Sequence, residues 1–335
     1  MKHVDIRPTT GAVRFQIDNA EARELTLNLN IHWLESGGIR VNGRRLDAST
    51  VRVHPAIEGG HLQMAAQVHV GDLTIRRESN GLSIVNQLPL ESYLVGTLAA
   101  EMNQFWDLEA LKAQAVASRS FARDAIRHAR HPDFDIEGST NDQAFAGAGV
   151  VNEKIERAVR ETVGVLLWEG TRPLKAFFHS RCGGTTQSAR EVWQDSSAKT
   201  QSVACPYCRK NPARWKMIVQ RDQLIRAFGF EPAPGALALS ASRNPSGRVT
   251  KIMLLSEGLE RNLSINELRS RLGFTRLRSA IFDWQLTRDF AIFEGRGFGH
   301  GVGLCQWGAQ YLAKMGKDFL GILRHYYPGV RIASG

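Results

Sequence analysis

The chain has 335 residues, 43% hydrophobic and 23% charged, enough for about two ordinary globular domains whose cores need no disulfide support. It holds no apolar run of about 18 residues, which excludes a membrane-spanning helix, and its first residues, MKHVDIRPTTGAV, carry no apolar core of a secretory leader. A formal net charge of +10 and a pI near 9.8 favour an anionic polymer as partner, without choosing among nucleic acid, anionic lipid and cell-wall polymer.

Residues 1–85 read as a β-rich module. Val13, Phe15 and Ile17 alternate with polar residues. So do Leu25, Leu27, Leu29 and Ile31, and again Leu62, Met64, Ala66, Val68 and Val70. Period two is the signature of half-buried strands. Turn signals at Ser36-Gly37-Gly38, Asn42-Gly43, Gly59-Gly60 and Asn80-Gly81 punctuate the runs. Residues 86–130 read as helical. Asn86 serves as an N-cap with Pro89 in the first turn, and Leu90, Tyr93, Leu94 and Leu98 form an apolar stripe. Asn103-Gln104-Phe105-Trp106 interrupts it. Asp107 then caps a second helix with a buried face of Leu108, Leu111, Ala115, Ala122 and Ile126. Lys112, Arg119 and Arg123 fall on another face.

Residues 131–200 read as mixed, with a helix over 153–162 and strands over 165–168 and 175–179. Residues 201–290, rich in proline among short strand and helix patterns, read as an inserted α/β lobe. Residues 291–335 hold a glycine-alternating segment and a helix over 307–315. The whole predicts an α+β fold of two lobes around a cleft.

Three features bear chemistry. Glu101 sits at the C-terminal end of the first helix, where the helix dipole disfavours a carboxylate, and Met102, Phe105 and Trp106 follow to strip water from it. Both effects favour the protonated form that a proton donor needs near neutral pH. In the second feature, Cys205-Pro-Tyr-Cys208 is a C-x-x-C knuckle, and His179 and Cys182 form a second pair at the same spacing. Two such pairs suit tetrahedral zinc, although their separation slightly exceeds the usual zinc-ribbon gap. Two ligand sets compete: His179, Cys182, Cys205 and Cys208, or all four cysteines with Cys305 brought over by the fold. A redox C-x-x-C, a disulfide and buried thiols are the alternatives. Four such ligands leave no open position for a catalytic water, and no H-E-x-x-H is present. The third feature is Gly295, Gly297, Gly299, Gly301 and Gly303, which alternate with larger residues. If extended, they bare one backbone face to a polymer or to another strand.

The stretches LPLESYLVGTLAAEMNQFWDLEALKAQAVASRSFAR, FFHSRCGGTTQSAREVW and GRGFGHGVGLCQWGAQ together resemble the SpoIID/LytB family of stage II sporulation proteins D and amidase enhancers. The match is strong over about residues 80–195 and 291–330, and residues 86–200 would be its catalytic core, completed by 291–335. One departure is Asn103, where the family often has Pro. The resemblance implies a lytic transglycosylase that cuts peptide-free glycan strands of peptidoglycan to 1,6-anhydro-muramic ends, with Glu101 as the single acid and base. It implies that Lys112 and Arg119 bind lactyl carboxylates and that Gln114 bonds sugar hydroxyls. His300 and Gln306 become substrate or supporting residues in a cleft lined by the glycine segment. Asp142-Gln143 in NDQAFAG resembles a further family segment. Some members bind zinc near the cysteine segment, which supports a structural zinc here. A cell-envelope location follows from the substrate, against the absence of a leader in these residues. The amidase-enhancer branch implies an alternative: a glycan-binding protein without catalysis, whose partner is a cell-wall amidase. No recognised nucleic-acid module is present, so nucleic acid is not an expected partner.

Overall fold

The computed structural model describes residues 1–26, 28–139, 142–147, 152–193 and 200–335. Leu27 and Asn141, which belong to the runs above, lie outside the described residues. Strands and helices are mixed, and the fold is α+β. The chain divides into two compact units, residues 1–106 with 122–164, and residues 107–121 with 165–335.

The first unit starts with two antiparallel sheets. One has the strand order Arg44–Leu46, Ile39–Val41, Leu29–Trp33, His3–Pro8, Leu62–Met64, Gln67–His69; the other runs Gly81–Gln87, Asp72–Glu78, Thr50–Pro55, Val13–Ile17, Arg23–Leu25. Both feed one apolar core, with Val4, Ile6, Leu29 and Ile31 from the first sheet and Val13, Val51, Val53, Leu73 and Ile75 from the second. Each glycine turn signal falls between strands. At Asn42-Gly43 both residues take positive φ (44° and 83°), the geometry that matches hairpin twist.

Two local readings are corrected. The alternation over residues 62–70 is no single strand: Ala65, at φ 52°, and Ala66 turn the chain, and Met64 pairs with Gln67. The two-residue turn carries no glycine to announce it, and it buries His69 in place of its apolar neighbours. Asn86 is no helix cap. It lies in the strand Gly81–Gln87 and its amide donates to the carbonyls of Val70 and Asp72 (2.9 and 3.0 Å).

The helices, in chain order, are α1 (Leu90–Glu101), α2 (Leu108–Arg127), α3 (Glu153–Arg160), α4 (Ala189–Trp193), α5 (Pro206–Lys210), α6 (Arg221–Ala227), α7 (Ile265–Leu272), α8 (Gln306–Lys314) and α9 (Phe319–Tyr326). Helix α1, α3 and the end of α2 belong to the first unit; α2 up to Phe121 and everything from α4 onward belong to the second. None of these helices is long and apolar enough to cross a membrane.

In the second unit, Val165–Glu169 pairs with Arg172–Pro173 and Arg331–Ser334. Phe178–His179 runs parallel to Leu304–Cys305, joining chain segments more than a hundred residues apart. Residues 214–296 form two further three-stranded sheets, Arg214–Gln220/Phe290–Arg296/Phe282–Leu286 and Leu237–Arg243/Val249–Ser256/Leu259–Ser264. With α6 and α7 they enclose a core of Trp215, Met217, Leu224, Phe228, Ile252, Leu268, Phe282 and Phe293.

Candidate functional site

Glu101 is the last residue of α1. Met102 leaves the helix with extended backbone, and its N–H still reaches back to the Leu98 carbonyl (3.0 Å). Glu101 is half-buried, and its Oε1 accepts the backbone N–H of Ala144 at 2.9 Å. That N–H comes from residues 142–147, a segment laid along α1. Phe145 stacks on Tyr93 (5.6 Å), the Tyr93 hydroxyl donates to Gln143 Oε1 (2.8 Å), and the Ala146 N–H donates to the Gly96 carbonyl (3.3 Å). Gly96 has to be glycine, because a Cβ there would sit 2.4 Å from the Phe145 ring. Asp142 is bonded to Arg130 and accepts the N–H of Glu137 (3.0 Å). Thus Asp142-Gln143, from a distant part of the sequence, helps to form the seat of the acid. Of the three apolar residues expected to shield it, Met102 is buried and Trp106 half-buried, but Phe105 is 77% exposed.

Helix α2 starts as expected, with Asp107 Oδ1 accepting the Glu109 N–H at 3.0 Å. Its faces differ from the sequence expectation. Ile126 is exposed, whereas Arg119 is 1% exposed, its guanidinium donating to the Val165 carbonyl (3.3 Å). Gln114 is fully buried, Nε2 donating to Ser118 Oγ (3.1 Å), and its Oε1 has no partner among the described residues. Lys112 is half-buried, with its ammonium 2.8 Å from Glu109 Oε1 and over the Phe319 ring. Alanines and small polar residues crowd this helix, and a simple apolar count cannot show that it is enclosed over most of its circumference for four turns.

The four cysteines meet. Cys205 precedes α5 and Cys208 follows one turn later, Cys182 lies beyond the strand Phe178–His179, and Cys305 ends the strand Leu304–Cys305. All are buried and unbridged, with their sulfurs within 4.8 Å of one another. Cys208 Sγ and Cys305 Sγ are 3.6 Å apart. Backbone N–H groups of Cys182 and Gly184 point at Cys305 Sγ and Cys182 Sγ (both 3.4 Å), and the Tyr326 hydroxyl lies 3.4 Å from Cys205 Sγ. Burial pushes the Cys305 thiol up, while its thiol neighbours, Cys182 first, pull Cys205 down. Four sulfurs this close favour thiolates only with a cation among them. The set is able to hold a metal ion, and it is the four-cysteine set. His179 stays outside it and donates Nδ1–H to the Val302 carbonyl (3.0 Å).

Gly295 lies in the strand Phe290–Arg296, but beyond it the glycine segment is not extended. Gly297, Gly299, Gly301 and Gly303 all take positive φ, and their neighbours fill the space a side chain would need. A Cβ on Gly303 would lie 2.0 Å from the Phe177 carbonyl oxygen, and one on Gly301 would meet the Arg248 guanidinium at 2.8 Å. The bare backbone of these glycines faces protein. Gly303→Ala is expected to cost about 2–5 kcal/mol, combining overpacking with a strained φ, as a urea titration of the full chain would measure.

His300 uses both ring nitrogens on backbone: Nε2 faces the Phe178 carbonyl (2.8 Å) and Nδ1 accepts the Val302 N–H (3.0 Å). That pattern specifies a neutral ring, and burial lowers its pKa well below the ordinary value. His179, packed edge-on at 5.5 Å, is held down to about 4 by burial, and its Nε2 has no partner among the described residues. Gln306 is buried at the start of α8.

Sequence reasoning missed Arg248 and Gln187. Arg248 is 1% exposed and donates to the Cys182 and Thr185 carbonyls, bracing the loop that carries the first thiol; burial lowers it to about 10. Gln187 exchanges backbone and side-chain bonds with Gly301, His300 and Asn244. Arg248 follows Asn244-Pro245-Ser246-Gly247 within the proline-rich stretch 201–290, where no motif marks it.

The model of the stage II sporulation protein family, SpoIID, matches residues 78–168, the stretch with Glu101, α2 and the segment that bonds the acid. The stage II sporulation protein D of Bacillus amyloliquefaciens is 31% identical over 271 residues, 75% of this chain and 76% of that protein. The chain belongs to the SpoIID family. The stage II sporulation protein D of Bacillus subtilis is 28% identical over 86% of this chain and 85% of its own length. The amidase enhancer of the same organism is 25% identical over 72% of this chain and 40% of that protein. A domain of unknown function, DUF8618, matches residues 237–303, which take in Arg248 and His300. The SpoIID model thus covers the acid-bearing stretch, and the second match covers the three-stranded sheet Leu237–Arg243/Val249–Ser256/Leu259–Ser264 and the residues that follow it as far as 303.

Proposed function

We propose that this SpoIID-family protein is a peptidoglycan lytic transglycosylase acting on peptide-free glycan strands, with Glu101 as its one general acid and base. The observation that supports this most is the seat of Glu101: a half-buried carboxyl at a helix end, with Oε1 fixed by the Ala144 N–H. A single positioned carboxyl suffices where the substrate supplies its own nucleophile. Glu101 gives its proton to the glycosidic oxygen as the C1–O4 bond breaks. The C6 hydroxyl of the same muramic residue closes on C1, and its proton returns to Glu101. The C1–O6 bond replaces C1–O4, and no water is consumed. Hydrolysing glycosidases, in contrast, need a second carboxylate.

The other site residues take different parts in this reading. Lys112, half-buried at the rim of α2, is the cation we assign to a lactyl carboxylate. Arg119 is enclosed and ties α2 to the Val165 carbonyl, Gln114 is enclosed and bonded to Ser118 of the same helix, Gln306 is buried at the start of α8, and His300 braces the glycine segment through the Phe178 carbonyl and the Val302 N–H. We assign zinc to the four thiols. Zn–S bonds of about 2.3 Å put tetrahedral sulfurs roughly 3.8 Å apart, in keeping with the 3.6 Å separation of Cys208 and Cys305. With four thiolates the ion cross-links the chain and offers no place for water. The substrate class places the protein in the cell envelope.

Mass spectrometry of peptide-free glycan strands after incubation with the purified protein tests the proposal. Anhydro-muramic ends are the expected product, and ordinary reducing ends would replace the reading with a hydrolase. A second reading, prompted by the name of the amidase enhancer relative, is a glycan-binding partner of a cell-wall amidase. Bound but uncut strands, together with stimulation of an amidase, would establish it.

A further inference from the structure

Six side chains of the second unit form a continuous strip beside the four thiols. Tyr311 contacts Tyr207 (ring centroids 5.7 Å), and Tyr207 stacks on Trp307 (5.8 Å, 16° between planes). The Arg181 guanidinium lies 3.8 Å from the Trp307 ring centre. Arg181 and Phe298 then exchange both backbone hydrogen bonds (2.9 and 2.8 Å) as an antiparallel pair, which sets their side chains on one face. Arg278 sits 5.8 Å over the Phe298 ring. The strip thus runs from three clustered rings to two cations with Phe298 between them.

The strip is accessible and held at its base. Arg278 is exposed, Phe298 is 37% exposed, and the other four are half-buried. Arg181 directly precedes Cys182, Tyr207 lies between Cys205 and Cys208, and Trp307 comes two residues after Cys305. The thiol centre therefore fixes three of the six side chains through the backbone. A guanidinium lying on an aromatic ring keeps its outer N–H edge free of that ring and already oriented, which lowers the entropy lost when it grips a carboxylate. The surroundings add long-range attraction. Residues 205–300 carry sixteen Lys and Arg against eight Asp and Glu, eight of the ten net positive charges of the chain.

We infer that this strip is a binding site for an anionic polysaccharide, with Arg181 and Arg278 taking carboxylates, Phe298 the apolar face of the sugar between them, and the three clustered rings the faces of the sugars beyond Arg181. The inference rests on the proposed action on bare glycan strands, and it names the part of the chain that recognises their charge. Bare strands suit the strip because each muramic residue bears a carboxylate and the alternate sugar does not. A single-stranded nucleic acid also presents anions and stackable rings, but its charge falls on every residue, and three of the four rings cluster at one end of the strip instead of alternating singly with cations.

The test uses the full chain with Glu101→Gln, so that strands are not consumed, and measures binding to peptide-free glycan strands and to the same strands with their carboxylates reduced to alcohols. The parent is expected to bind native strands at least about tenfold more tightly than reduced ones. The double variant Arg181→Gln/Arg278→Gln is expected to lose that preference while binding reduced strands like the parent. Metal content and melting temperature report whether the thiol centre is intact, and Arg278→Gln alone, at an exposed side chain, is expected to lose part of the preference without touching that centre. An undiminished preference in both variants overturns the strip and leaves the proposed function standing if the unsubstituted chain still cuts strands. Stronger binding to a thymidine oligonucleotide than to native strands also overturns it. Absence of both binding and cleavage overturns strip and function together.

Discussion

Replacing Glu101 by Gln is expected to reduce cleavage of bare glycan strands by at least about 10³-fold, in the range of losing a positioned general acid. Gln is the informative choice because its side-chain oxygen can still accept the Ala144 N–H that Glu101 Oε1 accepts at 2.9 Å. That bond is kept, and the transferable proton is lost. Melting temperature should therefore change little, whereas Glu101→Ala, which strands a backbone donor in a half-buried place, should cost about 1–3 kcal/mol as well as activity. Anhydro-muramic product quantified by mass spectrometry, beside a thermal melt of each variant, separates the two effects. A Glu101→Gln protein that cuts at the parental rate would remove Glu101 from the mechanism. One that cannot cut but fully stimulates an amidase would show that both activities reside in one chain.

Removing the metal is expected to have the largest effect on stability. A four-thiolate zinc site is worth about 10–16 kcal/mol of binding at neutral pH, as much as the whole stability of a typical domain. The four sulfurs come from three separate stretches, around residues 182, 205–208 and 305, so an ion held among them would add a cross-link to segments already joined by the parallel pair Phe178–His179 with Leu304–Cys305 and by the single bridges Arg181–Phe298, Thr185–Ala204 and Gln187–Val302. Chelation, or Cys305→Ser, should lower the melting temperature of the second unit by more than about 10 °C and make its backbone susceptible to protease. Elemental analysis should find one zinc per chain, and cobalt substitution should give the absorption of a tetrahedral thiolate site. Four thiols that titrate freely in the native protein, with no loss of stability on chelation, would refute the assignment.

Much of this was legible in the residues, for identifiable reasons. The four glycine turn signals mark real turns because positive φ has few other hosts, as at Asn42-Gly43. Asp107 caps α2 because a short carboxylate is the ready local acceptor for a bare helical N–H. The acid and the four thiols were readable as residues, but their partners were not. Which of His179 and Cys305 joins the thiol set depends on the pairing of strands more than a hundred residues apart, and spacing carries no information about that. Arg119 shows the limit most plainly. An arginine on a helix is ordinarily solvated, and a carbonyl brought over by the fold, that of Val165, is among what meets this one where it is enclosed. The Ala65-Ala66 turn was hidden for the opposite reason: Ala rarely takes positive φ, so a local rule that usually succeeds read through it as strand.

Helix α2 is tied at its start to residues far along the chain. The Asp107 N–H donates to Gln310, 203 positions later, and Glu109 Oε2 accepts the N–H of Phe319, 210 positions later. At about 5–20 residues per second of synthesis, some 10–40 s separate the emergence of this helix from that of its partners. During that interval its lining of Leu111, Ala113, Val116 and Ala117, fully enclosed in the finished molecule, stands uncovered. In a chain being synthesised, the bonds that tie the start of α2 to Gln310 and Phe319 therefore form only after nearly the whole sequence has been made.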